Sequence, residues 1–147
     1  MTDYTVKLEG TEELIANLGR ISADIRGEVA RKAVNAGGIQ IENRAKINAP
    51  VKTGALRNSA KTIARNTPEG AEAEIGFRGL VYARIQEFGG TIHARNAKYL
   101  RFRYKGRWVS RKSVRIRAKR YLRSALDTER GLAVKAMSDV VMAYLGK

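Results

Sequence analysis

The chain has no cysteine. A disulfide framework and a thiolate zinc cluster are therefore excluded, a reducing compartment is permitted, and folding has to rest on burial alone. Proline is nearly absent, occurring only as Pro50 and Pro68, and His93 is the single histidine. No run approaches the roughly 18 apolar residues that a membrane span requires. The opening "MTDYTVKLEG" carries an acid where a secretory signal would place a basic patch and a greasy stretch. The expectation is a protein made in the cytoplasm, with no membrane partner. Acids are scarce in one region above all. From Arg84 to Arg123 there are fourteen lysines and arginines, and Glu87 is the only carboxylate.

What is present starts with charge. The formal net charge is +15 over 147 residues, and that one stretch contributes a local +13. A field of this sign attracts nucleic acid, an acidic protein surface or anionic lipid, and it burdens the isolated chain with self-repulsion. With 44% hydrophobic residues, the chain is long enough for one core and too short for two comfortable ones, so residues 1–147 read as a single domain.

Periodicity supplies the elements. "YTVKLEG" alternates as a short strand ending at Gly10, and Thr11 is placed to cap a short helix, "TEELIANLGRI". A second helix is expected from about Ser22 to Ala49, with Ile21, Ile25, Val29, Ala33, Ile41 and Ala45 on one side. Pro50 ends it, because proline biases the residue before it out of the helical region. Gly37 and Gly38 sit inside that helix, which implies either a bend or a very close neighbouring backbone. "ALRNSAKTIARN" and "AEAEIGF" flank "TPEG" as a hairpin, with Lys61 and Arg65 facing Glu72 and Glu74. "LVYARIQEFGG" is a short helix with Val81, Ile85 and Phe88 at helical spacing. "KYLRFRYKGRWV" alternates apolar and basic residues around a tight Lys105-Gly106 turn. A long terminal helix places Leu122, Leu126, Ala133, Met137, Val140 and Tyr144 along one stripe.

Little in this pattern is suited to catalysis. His93 has no carboxylate at ligand spacing, and Ser59 lacks a glycine elbow and a base. Lys52-Thr53-Gly54 lacks the upstream glycines of a phosphate loop. The acids nowhere cluster for a hard metal. The expectation is a non-enzyme without metal or cofactor. Tyr99, Phe102, Tyr104 and Trp108, interleaved with arginine, fit a base-stacking, phosphate-holding surface. On period-two alternation they fit better the core face of a hairpin whose other face is solvated, though that leaves the nearly uniform positive charge of the outer face unexplained. The candidate partner- or DNA-facing residues are Arg101, Arg103, Lys105, Arg107, Arg111, Lys112, Arg115 and Arg117.

The long helix ending in "NAPVKTGALRNSA", then "VYARIQEFGG", then "KYLRFRYKGRWVSRKSVRIRAKRYLRSAL" together resemble the HK97 gp10-like proteins of tailed bacteriophages, a group of tail-completion and head–tail joining components. The specific pieces are Ala49-Pro50 with Thr53, Gly54 and Leu56, Tyr82-Ala83 with Glu87, Phe88 and Gly89, and the arginine-flanked Tyr121-Leu122. Relatives commonly carry prolines before that last pair, where this chain reads "IRAKRYL".

The resemblance implies an α+β fold: a small, mostly antiparallel sheet packed against one long helix, a further C-terminal helix, and a basic β-hairpin arm over residues 92–117. It implies a virion protein, assembled in the host cytoplasm, that forms a six-fold homo-oligomeric ring in the neck or at the head-proximal end of the tail. Its partners would be copies of itself, neighbouring neck and tail proteins, and DNA in the lumen. On this reading Pro50, Thr53, Gly54 and Leu56 form a corner between helix and sheet, with Leu56 opening a strand. Two rivals share the charge: a free basic nucleic-acid-binding protein, and a nuclease or toxin.

Overall fold

The computed structural model describes the backbone of residues 11–146 and the side chains of residues 16–146. The strand expected over residues 4–10 and the capping side chain of Thr11 lie outside the described residues. Helix α1, Thr11–Asp24, runs past the expected break at Ser22. The chain bends instead at Gly27 (φ −91°, ψ −105°), within a wider turn over Ile25–Val29, before α2, Ala30–Asn48. Serine is tolerated inside a helix at a cost of about 0.5 kcal/mol, whereas glycine reaches the angles that a kink demands. The stripe expected along these helices is buried only from Val29 onward, at Val29, Ala33, Ile41 and Ala45, and Ile21 is exposed.

Gly37 and Gly38 do not bend α2, because they are where other elements approach it. A Cβ at Gly37 would lie 2.9 Å from Met137 Cγ and 3.1 Å from the Ala133 carbonyl, and one at Gly38 would lie 2.5 Å from Thr62 Cγ2. Helix α5, Tyr121–Leu145, therefore packs on one side of this glycine pair and the hairpin on the other. The buried residues of α5 are Tyr121, Ala125 and Ala133, and Leu126, expected inside, is exposed. Small residues on both helices let the backbones come close, so the contacting stripe follows alanine and glycine rather than leucine.

Pro50 ends α2 as expected: Ala49 has turned extended at ψ 135°. Gly54 adopts φ +82° and opens a single helical turn, α3, Ala55–Asn58. Leu56 is buried, but inside this turn rather than at the head of a strand, which corrects the sequence reading. The left-handed Gly54 directs the chain into helical turning, and Ser59 Oγ closes the turn by donating to the Leu56 carbonyl at 2.8 Å. Strand β1, Ala60–Thr67, then pairs antiparallel with β2, Gly70–Phe77. Arg65 bridges Glu72 and Glu74 as anticipated. Lys61 does not join them: it pairs across from Gly76, and Arg78 is the second cation on Glu74.

The apolar interior has two adjoining parts. One joins α2 and α5 through Ile41, Ala45, Ala125 and Ala133, with Ile75 and Phe77 of β2 against them. The other gathers Ala49, Leu56, Ala83 and Tyr121 beneath Phe77 and Leu80. Helix α4, Ala83–Phe88, belongs to the second. Between α4 and α5 the chain leaves as two antiparallel ladders. Strand β3, Gly90–His93, pairs with β6, Ser113–Ile116, and β4, Leu100–Tyr104, pairs with β5, Arg107–Arg111. The molecule is thus α+β, with small antiparallel sheets, a long helix and a C-terminal helix, as anticipated.

Candidate functional site

The sequence motifs meet at the root of the arm. Glu87 on α4 is only 6% exposed, yet it contacts no cation among the described residues. Its carboxylate instead accepts the backbone N–H groups of Leu122 at 2.9 Å and Arg123 at 3.0 Å. These are among the first donors of α5 and have no partner within their own helix. A carboxylate at a helix N-terminus is also favoured by the dipole. The residue before the helix, Arg120, lies at φ +50° and supplies no cap of its own, so the acid is borrowed from α4.

Other bonds tighten the same junction. Lys119 and Arg120 donate backbone N–H to the carbonyls of Gln86 and Glu87, at 2.8 and 3.1 Å. The Tyr121 hydroxyl donates to the Ala83 carbonyl at 2.9 Å, and its ring meets Phe77 edge-on, centroids 4.7 Å apart. Burial first, then the Glu87 charge, then Tyr82, push the Tyr121 phenol up to about 12. Gly89, at φ +72°, has no room for a side chain: a Cβ would sit 2.7 Å from Ala118 N and 2.9 Å from the Ile116 carbonyl. Residues 83–89 and 116–123 therefore form a clasp that closes both ends of the arm onto the body.

The corner lies beside the clasp. Leu56 packs with Ala83 and Tyr121. Thr53 Oγ1 accepts a long 3.4 Å bond from Ala55 N–H. Pro50, Thr53 and Gly54 line a hollow shared with Tyr82 and Gln86. Phe88 behaves differently. Phe88, at helical spacing with Val81 and Ile85, is 74% exposed, and Val81, which precedes α4, is 99% exposed. The helix buries Ala83 and Glu87 instead, because the Glu87 bonds to α5 fix which side faces inward.

Every candidate cation of the arm is exposed: Arg101 and Arg103 on β4, Lys105 in the turn, Arg107 and Arg111 on β5, Lys112 at a bend, Arg115 on β6 and Arg117 just beyond. The tight turn is present, with Lys105 at φ +47° and Gly106 at φ +79°, a pair of positive angles that suits the twist of a hairpin. The ladder register redistributes the faces. Phe102 opposes Val109, but Leu100 opposes Arg111, Tyr104 opposes Arg107, and Arg103 opposes Trp108. Arginine thus occupies both faces, and Trp108, 71% exposed, stands among the cations. Neither a clean greasy face nor a buried aromatic core exists here.

Ile92, Leu100, Phe102, Val109, Val114 and Ile116 line an open apolar groove of about 750 Å³ between the two ladders. Apolar positions are odd at Val109 and even at Val114 and Ile116, on either side of the bend at Lys112 where the chain leaves the β4–β5 ladder for the β3–β6 ladder.

No ion pair among the described residues answers the charge of the arm. Among the described residues, Glu28, Glu42, Glu72, Glu74, Asp127, Glu129 and Asp139 each pair with a cation outside residues 92–117. Asp24 accepts the Tyr144 hydroxyl. His93 is an exposed β3 residue opposite Ser113. No cluster of three or more His, Cys, Asp or Glu suited to a metal occurs among the described residues, and no described helix is long and apolar enough to cross a membrane.

What sequence reasoning missed is the role of Glu87 as a cap in trans. The available signal was a lone acid inside a basic stretch, preceding by a few dozen residues a helix start with no capping residue.

No curated protein and no solved structure matches the chain. A family model does match residues 12–89, from α1 to the last residue before the arm. Its span takes in the corner, α4 and Gly89, and it stops where the basic ladders begin. The chain belongs to the HK97 gp10-like family of bacteriophage tail components.

Proposed function

We propose that the protein is a non-enzymatic tail-completion or head–tail joining component that assembles as a six-fold ring in the neck or at the head-proximal end of the tail. The observation that carries this reading is the family match over 12–89, joined to apolar surface that this chain leaves uncovered. Leu18 and Ile21 are exposed on α1, and so are Val81, just before α4, and Phe88 at its end. Uncovered apolar residues on two different parts of one chain suit a heterologous contact, in which one patch meets a different patch on the next copy; rings are built from such contacts when the rotation closes. Assembly would take place in the host cytoplasm from soluble subunits, with neighbouring neck and tail proteins as partners. The arm is then a contact element reaching from the ring toward a negatively charged neighbour.

The test is electron microscopy of a lysate from phage lacking this protein. Filled heads and separate tails are the expected product, and normal infectious particles would refute the role. The competing reading, a free nucleic-acid-binding protein, is favoured only by the cations of the arm, none of which pairs with a described acid. It predicts that purified protein stays monomeric while binding naked duplex tightly.

A further inference from the structure

We infer that the occupant of the arm is the phosphate backbone of double-stranded DNA, an inference that rests on reading the arm as the contact element of the proposed component. The argument begins with charge balance. Residues 92–117 hold ten cations and no acid, while the other 121 residues hold nineteen cations and fourteen acids. A second copy of the chain is therefore a poor occupant, because its body is itself net positive and most of its described acids already have local cations. In a ring the arms would also repel one another, and only a dense polyanion offsets that repulsion.

The geometry then separates DNA from an acidic protein. A protein interface concentrates apolar side chains at its centre and depletes charge there. This ribbon carries Arg103 beside Trp108 on one face, and Arg107 and Arg111 on either side of Val109 on the other. A partner that meets one face would leave the opposite cations unanswered. The major groove of DNA accepts a two-stranded ribbon and presents phosphates on both walls, so cations on both faces are neutralised together. Seven of the ten cations are arginine, whose planar fork suits phosphate oxygens. Phosphate contacts of this kind carry no sequence preference.

The experiment uses the full-length protein and a fluorescently labelled duplex of arbitrary sequence, roughly 30 base pairs or three helical turns long. Affinity is read by anisotropy between about 50 and 200 mM salt, where the log–log slope reports about 0.9 per neutralised phosphate. The triple variant Arg103→Ser, Arg107→Ser, Arg111→Ser should lower that slope by about 3. The triple variant Arg20→Ser, Lys32→Ser, Lys135→Ser, outside the arm, should leave it unchanged. Equal slopes for the two variants overturn the inference. Displacement of the duplex by polyglutamate as readily as by unlabelled duplex of equal charge also overturns it, in favour of an acidic protein surface. Amide exchange of the unaltered protein, with and without duplex, is independent of any folding defect in the variants. New protection confined to residues 92–117 supports the inference, and protection elsewhere refutes it. Ultracentrifugation separates this from the ring: a monomer that binds DNA through the arm refutes the ring alone, and a ring indifferent to DNA refutes this inference alone.

Discussion

The body and the arm are built on opposite terms. In the body, α2 and α5 approach through Gly37, Ala45, Ala125 and Ala133, most described acids have cations beside them, and the buried Glu87 carboxylate answers two backbone donors. In the arm no residue from Gly90 to Arg120 is fully buried, and no acid is present. Its ladders are two-stranded, a form that is marginal in water without further packing. The body therefore sets its apolar and charged groups against one another, whereas the arm leaves apolar and cationic surface exposed. The two are joined at the clasp, so substitutions in the body and in the arm should affect stability and contact differently.

The largest effect is expected where the two regions share a residue. Glu87→Ala leaves the Leu122 and Arg123 N–H groups without an acceptor in a largely dry site, at a cost of about 3 kcal/mol. Chemical denaturation should show this as a lower midpoint with an unchanged slope. Amide exchange should show the β3–β6 ladder losing protection along with the start of α5. Glu87→Gln keeps one acceptor and should lose about half as much. A full-sized loss in Glu87→Gln would mean that charge, rather than acceptor geometry, holds the clasp.

A second effect is confined to the body and appears with pH. The folded-state pKa of Tyr121 is pushed up to about 12, above the value near 10 expected of an unfolded chain. The folded state thus holds the phenol proton more tightly. The resulting stability is fully present below about pH 10 and is lost as pH rises toward 12, amounting to about 2 kcal/mol. Tyr121→Phe should lose about 1 kcal/mol at neutral pH with the Ala83 hydrogen bond, and it should flatten the alkaline decline. A decline of the same steepness in Tyr121→Phe would assign it to the many lysines and arginines instead.

Much of the body was legible because its signals are local. Pro50 stops a helix through its own ring, Gly54 fits a left-handed turn, and the fourfold spacing from Val29 to Ala45 marks a buried stripe; in the arm only the Lys105-Gly106 hairpin turn was as local. The failures involve choices made by distant partners. Which side of α4 faces inward is decided by the start of α5, more than thirty residues away, so the helical spacing of Val81, Ile85 and Phe88 does not reveal that Ala83 and Glu87 are the buried residues. Which stripe of α5 is buried depends on how close Gly37 lets it come, so leucine lost to alanine. Arm charge was plain in the composition, but its division between two faces depends on how the Lys105-Gly106 turn sets β5 against β4, which puts Arg107 and Arg111 on the same face as Leu100 and Phe102.

The smallest effects test whether the corner belongs to the body or to a contact surface. Gly54 lies at φ +82°, a region that costs a residue with a Cβ roughly 1–2 kcal/mol, so Gly54→Ala should destabilise by about 1 kcal/mol. No neighbour lies closer to a Cβ there than Asn58 Nδ2 at 3.9 Å, so the loss is conformational rather than steric. Lys52 is exposed at the rim of the hollow beside Tyr82. Removing it leaves the backbone turn intact, so Lys52→Ala should change stability by no more than about 0.5 kcal/mol and leave particle assembly nearly normal. The ranking of the two variants carries the conclusion. If Lys52→Ala abolishes assembly while Gly54→Ala melts like the unaltered protein, the corner is a contact site, and the line between a packed body and an exposed arm has been drawn in the wrong place.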